Sequence, residues 1–327
     1  MYENISEPLK AVGLLSGGLD STLAVKLMIE LGVDVTVFNL VTPFCTCTRK
    51  GCTHEASRVA KELGVPIKLI SAGIEYIEMV KNPKHGYGKN MNPCIDCRVF
   101  IFKKAKEYME EIGARFIFTG EVLGQRPMSQ HKRALKLIEQ ESGLENLVVR
   151  PLSARLLEPT IPEEKRWIDR DKLLSIQGRR RLPQMELAEE FGIKDYPCPA
   201  GGCRLTDPGF AKRLKESFDH GEYTISEIQL LKYGRHFRLD SGAKVVVGRN
   251  EEENKALLKF FNNNDVLMEV VGVGSPTVLL KKRKIRDDVK KAASLCIRYS
   301  DSDNEENANL RIKYGKEREE IVKISSL

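Results

Sequence analysis

Apolar and polar positions fall into a regular block pattern along the first half of the chain. Residues 11–15 are an apolar run that stops at Ser16-Gly17-Gly18. A run this short, closed by glycine, predicts a buried strand. Apolar side chains then recur at Leu23, Val25, Leu27, Met28 and Leu31 before Gly32, which predicts a helix over 21–31. The alternation continues with a β-branched strand over 34–41, a helix over 54–63 ended by Gly64, and a strand over 67–70. A helix over 97–112 stops at Gly113, and strands follow over 116–119 and 147–150. Strands alternating with helices predict an α/β fold with a parallel sheet covered on both faces. Ligands of such sheets bind outside the carboxyl ends of the strands.

The pattern changes further on. Pro159, Pro162 and Pro183 interrupt the stretch after the fifth strand, with short helices expected over 184–191 and 207–218. Beyond His220-Gly221 the reading turns to hairpins, with strands over 236–239 and 244–247 around Asp240-Ser241-Gly242. A helix over 251–261 and a strand over 266–273 follow. Residues 300–309 are polar and acidic and are expected to form a mobile loop. The expected organisation is a domain over 1–220 and a smaller α+β domain over 221–327.

Composition fits soluble domains: 41% of the 327 residues are hydrophobic and 30% charged. No apolar run approaches the ~20 residues of a membrane span, and residues 1–10 hold Glu3 and Glu7 but no apolar signal core. No membrane partner is expected, and a cytoplasmic location is the default. The 53 Lys+Arg against 46 Asp+Glu give a formal net charge of +7. That excess permits a polyanionic partner without requiring one. Basic clusters at Arg179-Arg180-Arg181 and at Lys281-Lys282-Arg283-Lys284 suit a phosphate backbone or a solvated face.

Candidate chemistry starts at the first strand–helix turn, Ser16-Gly17-Gly18-Leu19-Asp20-Ser21. Two glycines let backbone N–H groups approach phosphate oxygens, and the following helix presents its positive end. Ser16 and Ser21 add hydroxyls, and Asp20 can cap the helix or help hold Mg²⁺. Neither the Walker nor the dinucleotide glycine pattern follows this strand. The hexapeptide resembles the SGG-x-DS signature of the PP-loop ATP pyrophosphatases, which include tRNA thiolases, tRNA lysidine synthase, NAD synthetase and GMP synthetase. The resemblance implies a Rossmann-like domain of the adenine nucleotide alpha hydrolase type. It also implies ATP cleavage between the α and β phosphates and an adenylated intermediate. On the same resemblance Asn39 lies by the adenine and Thr119-Gly120 reaches the ATP. Arg126 follows shortly and can neutralise phosphate.

Seven of the eight cysteines fall in three groups. Cys94-Ile95-Asp96-Cys97 sits at a predicted helix N-terminus, whose positive end favours thiolate. Cys198 and Cys203 share a loop rich in proline and glycine. A C-x-x-C with one distant cysteine leaves a fourth metal position open. This resembles the [4Fe–4S]-dependent tRNA thiolases of the PP-loop family and implies Cys94, Cys97 and Cys198 as ligands, Cys198 being preferred to Cys203 because it precedes a proline. Two other readings stay open: a persulfide relay between cysteines such as Cys97 and Cys198, and a tetrahedral zinc site. Cys45, Cys47 and Cys52 match no ligand spacing and stay unassigned.

Toward the C-terminus, Tyr233-Gly234-Arg235-His236-Phe237 and Val247-Gly248-Arg249-Asn250 resemble the RNA-binding domain of the NFACT family. Arg235 and Arg249 can meet phosphates, and His236 and Phe237 can stack on unpaired bases. No ferredoxin-like RNA-binding segment precedes the first strand, so the C-terminal region is expected to take that role.

These features point to an ATP-dependent tRNA uridine sulfurtransferase with Asp20, Cys94, Cys97 and Cys198 as catalytic residues. ATP, Mg²⁺ and a [4Fe–4S] cluster are the expected cofactors. The expected partners are tRNA and a sulfur donor (sulfide, a persulfide protein or a carrier), and a homodimer is allowed. An amidating or lysidine-forming ligase and a non-catalytic, ATP-dependent RNA-binding protein are the rival classes.

Overall fold

The computed structural model describes residues 9–45, 52–196, 203–282, 285–302, 308–316 and 318–326. Its first part runs β1 (Lys10–Leu14), α1 (Leu19–Glu30), β2 (Asp34–Val41), α2 (Cys52–Glu62), β3 (Ile67–Ser71), α3 (Ile74–Lys81), α4 (Cys94–Glu111), β4 (Phe116–Thr119), α5 (Lys132–Ser142) and β5 (Val148–Val149). The strands pair in parallel in the order β3-β2-β1-β4-β5. β1 is central, and its apolar residues Ala11 and Val12 are fully buried, as an uninterrupted apolar run requires. The chain moves outward from β1 through β2 to β3, then returns to β4 on the other side. This reversal opens a crevice at the carboxyl ends of β1 and β4, where open α/β sheets bind ligands.

Past β5 come α6 (Ile161–Glu164), α7 (Leu182–Glu190) and α8 (Pro208–Asp219). Leu123 forms a parallel bridge with Gln177, and the Gly178 N–H donates to the Leu123 carbonyl at 2.7 Å. This pairing draws the basic segment 178–181 to the sheet edge beside β4. α7 packs on α1.

By its contacts the chain divides into units 1–211 and 212–327, the division falling inside α8; the sequence reading placed it after residue 220. The second unit contains α9 (Ile225–Leu230), β6 (Arg235–Arg238), β7 (Lys244–Val247), α10 (Glu251–Leu258), β8 (Val266–Val270), β9 (Val278–Lys281), α11 (Asp287–Arg298), β10 (Asn309–Tyr314) and β11 (Arg318–Lys323). Its strands form an antiparallel sheet in the order β11-β10-β8-β9-β7-β6. Period-two alternation sorts the side chains. Val245 and Val247 pack with Val289, Ala292 and Ala293 of α11, while Val246 packs with Leu230 and Leu257. Each such valine contributes about 1.5–3 kcal/mol by burial. The lone Cys296 lies wholly inside this core, where burial pushes its thiol up to about 12.

Several elements go beyond the sequence reading: α3, α5, α6, α9, β9, α11, β10 and β11. In the acidic stretch 300–309, residues 303–307 lie outside the described residues, and Asn309 begins β10. Among the described residues no helix is long and apolar enough to cross a membrane.

Candidate active site

The turn after β1 is shaped by two glycines. Gly17 sits at φ +78°, and a Cβ there would lie 2.8 Å from the Glu55 backbone, so no other residue fits. Gly18 caps α1 in an extended conformation with no side-chain cap, which leaves the helix N-terminus open to an external acceptor. Ser16 Oγ and Ser21 Oγ lie 3.1 Å apart, and Ser21 Oγ donates to the Gly18 carbonyl at 2.9 Å. β4 backs directly onto this turn: a Cβ on Gly120 would fall 2.4 Å from the Asp20 carbonyl oxygen. Thr119 Oγ1 accepts from the Glu121 N–H at 3.0 Å and so fixes the bend after β4.

Two acceptors in this crevice are unanswered among the described residues. Asn39 Nδ2 donates to the Leu15 carbonyl at 2.7 Å, but its Oδ1 is buried without a partner. Asp20 Oδ1 is likewise buried and unpartnered, while Oδ2 lies 3.8 Å from Arg181 Nη2. An unsatisfied buried acceptor costs about 1–3 kcal/mol, a cost that a bound donor or cation removes.

Four described cysteines, Cys45, Cys94, Cys97 and Cys203, gather in one neighbourhood. Cys94 and Cys97 open α4. Between them, Asp96 is buried and accepts from the Lys84 and His85 N–H groups at 2.9 and 3.1 Å, so it anchors the preceding loop. Asn92 Nδ2 donates to Cys94 Sγ at 3.0 Å, and the Tyr76 hydroxyl lies 2.9 Å from Cys97 Sγ. Burial pushes both thiols up, against the lowering effect of Arg98 on each. Arg126, exposed on its loop, lowers Cys94 as well. The sequence expectation that the helix end would favour thiolate is therefore outweighed by burial. Cys203 is pushed up to about 12 by burial, and it also feels Cys97, Cys94 and Cys45, which places all four thiols in one electrostatic neighbourhood. Cys198, Cys47 and the side chain of Cys52 lie outside the described residues. Among the described residues no three His, Cys, Asp or Glu side chains are arranged to hold a single metal ion.

An ion network joins the crevice to the cysteines. Arg98, next to Cys97, pairs with Glu121 at 2.8 Å, and Glu121 also takes Arg150 at 3.1 Å. Arg150 reaches Glu139 at 2.5 Å. Burial pushes the Glu121 carboxyl up, but Arg98 and Arg150 outweigh it and hold it below the usual carboxylate range. The positions therefore run in contact from the Ser16–Ser21 turn through Gly120 and Glu121 to Arg98 and the C-x-x-C.

The C-terminal candidates are placed differently. Arg249 pairs with Glu253, which also accepts from the Gly234 and Arg249 N–H groups. Asn250 caps α10 by accepting from the Glu253 N–H at 3.0 Å. His236 is half-buried, Nε2 meets the Tyr233 carbonyl at 2.8 Å, and burial drives it down to about 3. It is therefore neutral at physiological pH. Arg235 is exposed, its guanidinium 4.8 Å above the Tyr299 ring, and Phe237 packs on the same ring at 6.1 Å.

Comparison with known proteins separates the two units. Residues 8–156 match the family described as thiamine biosynthesis protein ThiI. Over those residues the N-terminal unit is similar to the PP-loop proteins of the ThiI family. Residues 234–327 match the NFACT protein RNA binding domain. A tRNA-specific 2-thiouridylase MnmA of Fervidobacterium nodosum is 33% identical over 102 residues, covering 27% of this chain and 29% of the relative. The chain thus spans less than a third of that curated relative. A 4-thiouridine synthetase–RNA complex with bound ATP aligns at TM-score 0.40 and 22% identity, over 67% of this chain and 52% of the other. The U34-tRNA thiolase NcsA from Methanococcus maripaludis, with its [4Fe-4S] cluster, aligns at TM-score 0.35 and 16% identity over 70% and 73%. At these scores neither likeness bears on the chemistry.

Within the PP-loop domain, four groups escaped the sequence reading as site residues: Tyr76, Arg98, Arg150 and Arg181. Only Arg181 left a signal, as the end of the basic cluster. The others meet their partners across long sequence separations, which no spacing rule reports.

Proposed function

We propose that this chain activates a uridine carbonyl of tRNA with ATP and replaces its oxygen with sulfur. One observation carries the reading: the continuous contact from the Ser16–Ser21 turn through Gly120, Glu121 and Arg98 to Cys97, which brings the turn and the C-x-x-C to one sheet edge. The carbonyl oxygen attacks the α-phosphorus, pyrophosphate leaves, and a sulfur nucleophile then displaces AMP. The open α1 N-terminus, the turn amides and Arg181 meet the phosphate charge that develops. Asp20 offers a carboxylate oxygen of the hard type that Mg²⁺ takes, and Asn39 offers an acceptor to the nucleotide.

The donor set suits a [4Fe–4S] cluster: the Cys94 and Cys97 thiols open α4 beside the positive charges of Arg98 and Arg126, and a bound metal centre would replace their protons. Cys94, Cys97 and, by the family resemblance, Cys198 would hold it. Such a cluster would supply a position free of protein ligand for sulfur. The NFACT-type domain, through the exposed Arg235, would bind the tRNA.

In tRNA from cells lacking the chain, one thionucleoside should vanish and return on complementation. Mass spectrometry showing every thionucleoside retained would remove this reading. Iron and sulfide analysis of anaerobically purified wild type and Cys198→Ala separates cluster from persulfide chemistry.

A further inference from the structure

Cys45 and Cys203 face each other across an isolated antiparallel bridge. The hydrogen bond beside it runs from the Arg204 N–H to the Phe44 carbonyl at 3.0 Å. It thus joins the residue after one cysteine to the residue before the other. That pattern makes Cys45–Cys203 a non-hydrogen-bonded pair, the type whose Cα atoms sit about 4.5 Å apart with side chains on one face. Disulfides span Cα separations of about 4.4–6.8 Å. Both thiols are free and half-buried.

The two segments are held in this register by neighbours. The Met91 N–H donates to the Leu205 carbonyl at 3.1 Å, and Asn90 Nδ2 donates to the Thr206 carbonyl at 2.7 Å. The Phe44 ring is fully buried against Tyr76 and Phe210. Cys94 and Cys97 are occupied differently, their sulfurs meeting Asn92 and Tyr76.

We infer that Cys45 and Cys203 are a dithiol site that closes to a reversible disulfide with a low-molecular-weight disulfide. One cysteine thiolate attacks glutathione disulfide, forming a mixed disulfide and releasing one glutathione thiolate. The other cysteine thiolate attacks the protein sulfur of that mixed disulfide, and the second glutathione leaves. The two cysteines lose two protons and two electrons, and glutathione disulfide gains both. Closure removes Cys203 from the thiols around Cys94 and Cys97 and ties the end of β2 to the 203–206 segment. The inference does not rest on the tRNA reading and survives its failure.

The test incubates the full-length protein with reduced or oxidised glutathione, traps thiols with N-ethylmaleimide and digests without reductant. Fragmentation spectra then distinguish Cys45 from Cys47 and Cys203 from Cys198. The expected result is a Cys45–Cys203 cross-link in oxidised glutathione, two fewer labelled cysteines, and reversal by reduced glutathione. Cys45→Ser should leave Cys203 free or glutathionylated, and Cys203→Ser should do the reciprocal. A wild-type cross-link from Cys203 to Cys94 or Cys97, a link through Cys47 or Cys198, or stable mixed disulfides at both positions would overturn it.

Discussion

In the crevice of the PP-loop domain, Asp20 and Asn39 each keep a buried oxygen without a partner among the described residues. In the NFACT-type domain the polar residues in and beside the motifs are mostly answered inside the chain. Arg249 is held by Glu253, Asn254 Oδ1 accepts from the Thr277 N–H at 3.0 Å, and Arg238 is gripped by Glu216 and Glu222. The contrast separates two uses of polar residues. Those that meet their partners within the unit hold a turn or a helix in place. Those left unanswered in a crevice await a ligand. In the NFACT-type domain that leaves Arg235, exposed over Tyr299, as a better candidate for external contact than His236 or Arg249.

The strongest test of the contrast is Glu121, which serves both purposes. Glu121→Ala strips Arg150, itself only 4% exposed, of a buried partner. Breaking such a pair costs about 3–5 kcal/mol, so thermal melting should show a large loss confined to the PP-loop unit. Gly120→Ala comes next. Its Cβ would collide with the Asp20 carbonyl, an overpacking cost of about 1–3 kcal/mol. Calorimetry should show ATP binding lost while the NFACT-type unit melts unchanged.

The pH dependence separates the units again. His236 has its folded pKa lowered to about 3 from 6.5, and Glu222 has its own lowered to about 2 from 4.5, Arg238 and Lys244 outweighing burial. In both cases the unfolded chain binds the proton first, so stability is present above the unfolded pKa and is lost as pH falls. The NFACT-type unit should melt at progressively lower temperature from about pH 7 down. In a His236→Gln variant the part between about pH 7 and 5 should disappear, leaving the Glu222 part below. The smallest effect concerns RNA. Arg235→Ala should lower tRNA affinity and reduce the salt slope by about 1, with stability changed by less than about 0.5 kcal/mol. Arg249→Ala should cost stability first, because it abandons Glu253. The reverse ranking in binding and melting assays would break the comparison.

Sequence legibility followed the same division. β2 and β4 coincide with the predicted 34–41 and 116–119, because buried strands of a parallel sheet are unbroken apolar runs. α5 was missed because its buried positions, such as Ala134, Leu135 and Ile138, make a narrow stripe among charges. β10 was missed although Leu310 and Ile312 alternate with Arg311 and Lys313 in period two; the charged faces masked the pattern. The Ser16–Ser21 turn and the C-x-x-C stand out in the sequence because each is a local pattern. The link through Glu121 and Arg98, the Tyr76 contact and the Cys45–Cys203 pairing do not, because each joins residues more than twenty positions apart.

The central claim is that a uracil oxygen leaves on AMP while sulfur takes its place. A tRNA carrying ¹⁸O in its uridine carbonyls, incubated with the full-length protein, Mg·ATP and sulfide, tests it directly by mass spectrometry of AMP and of the digested nucleosides. The account predicts ¹⁸O in the AMP phosphate in equal amount to the thiouridine formed. Unlabelled AMP, or labelled AMP with no sulfur in the base, would contradict it.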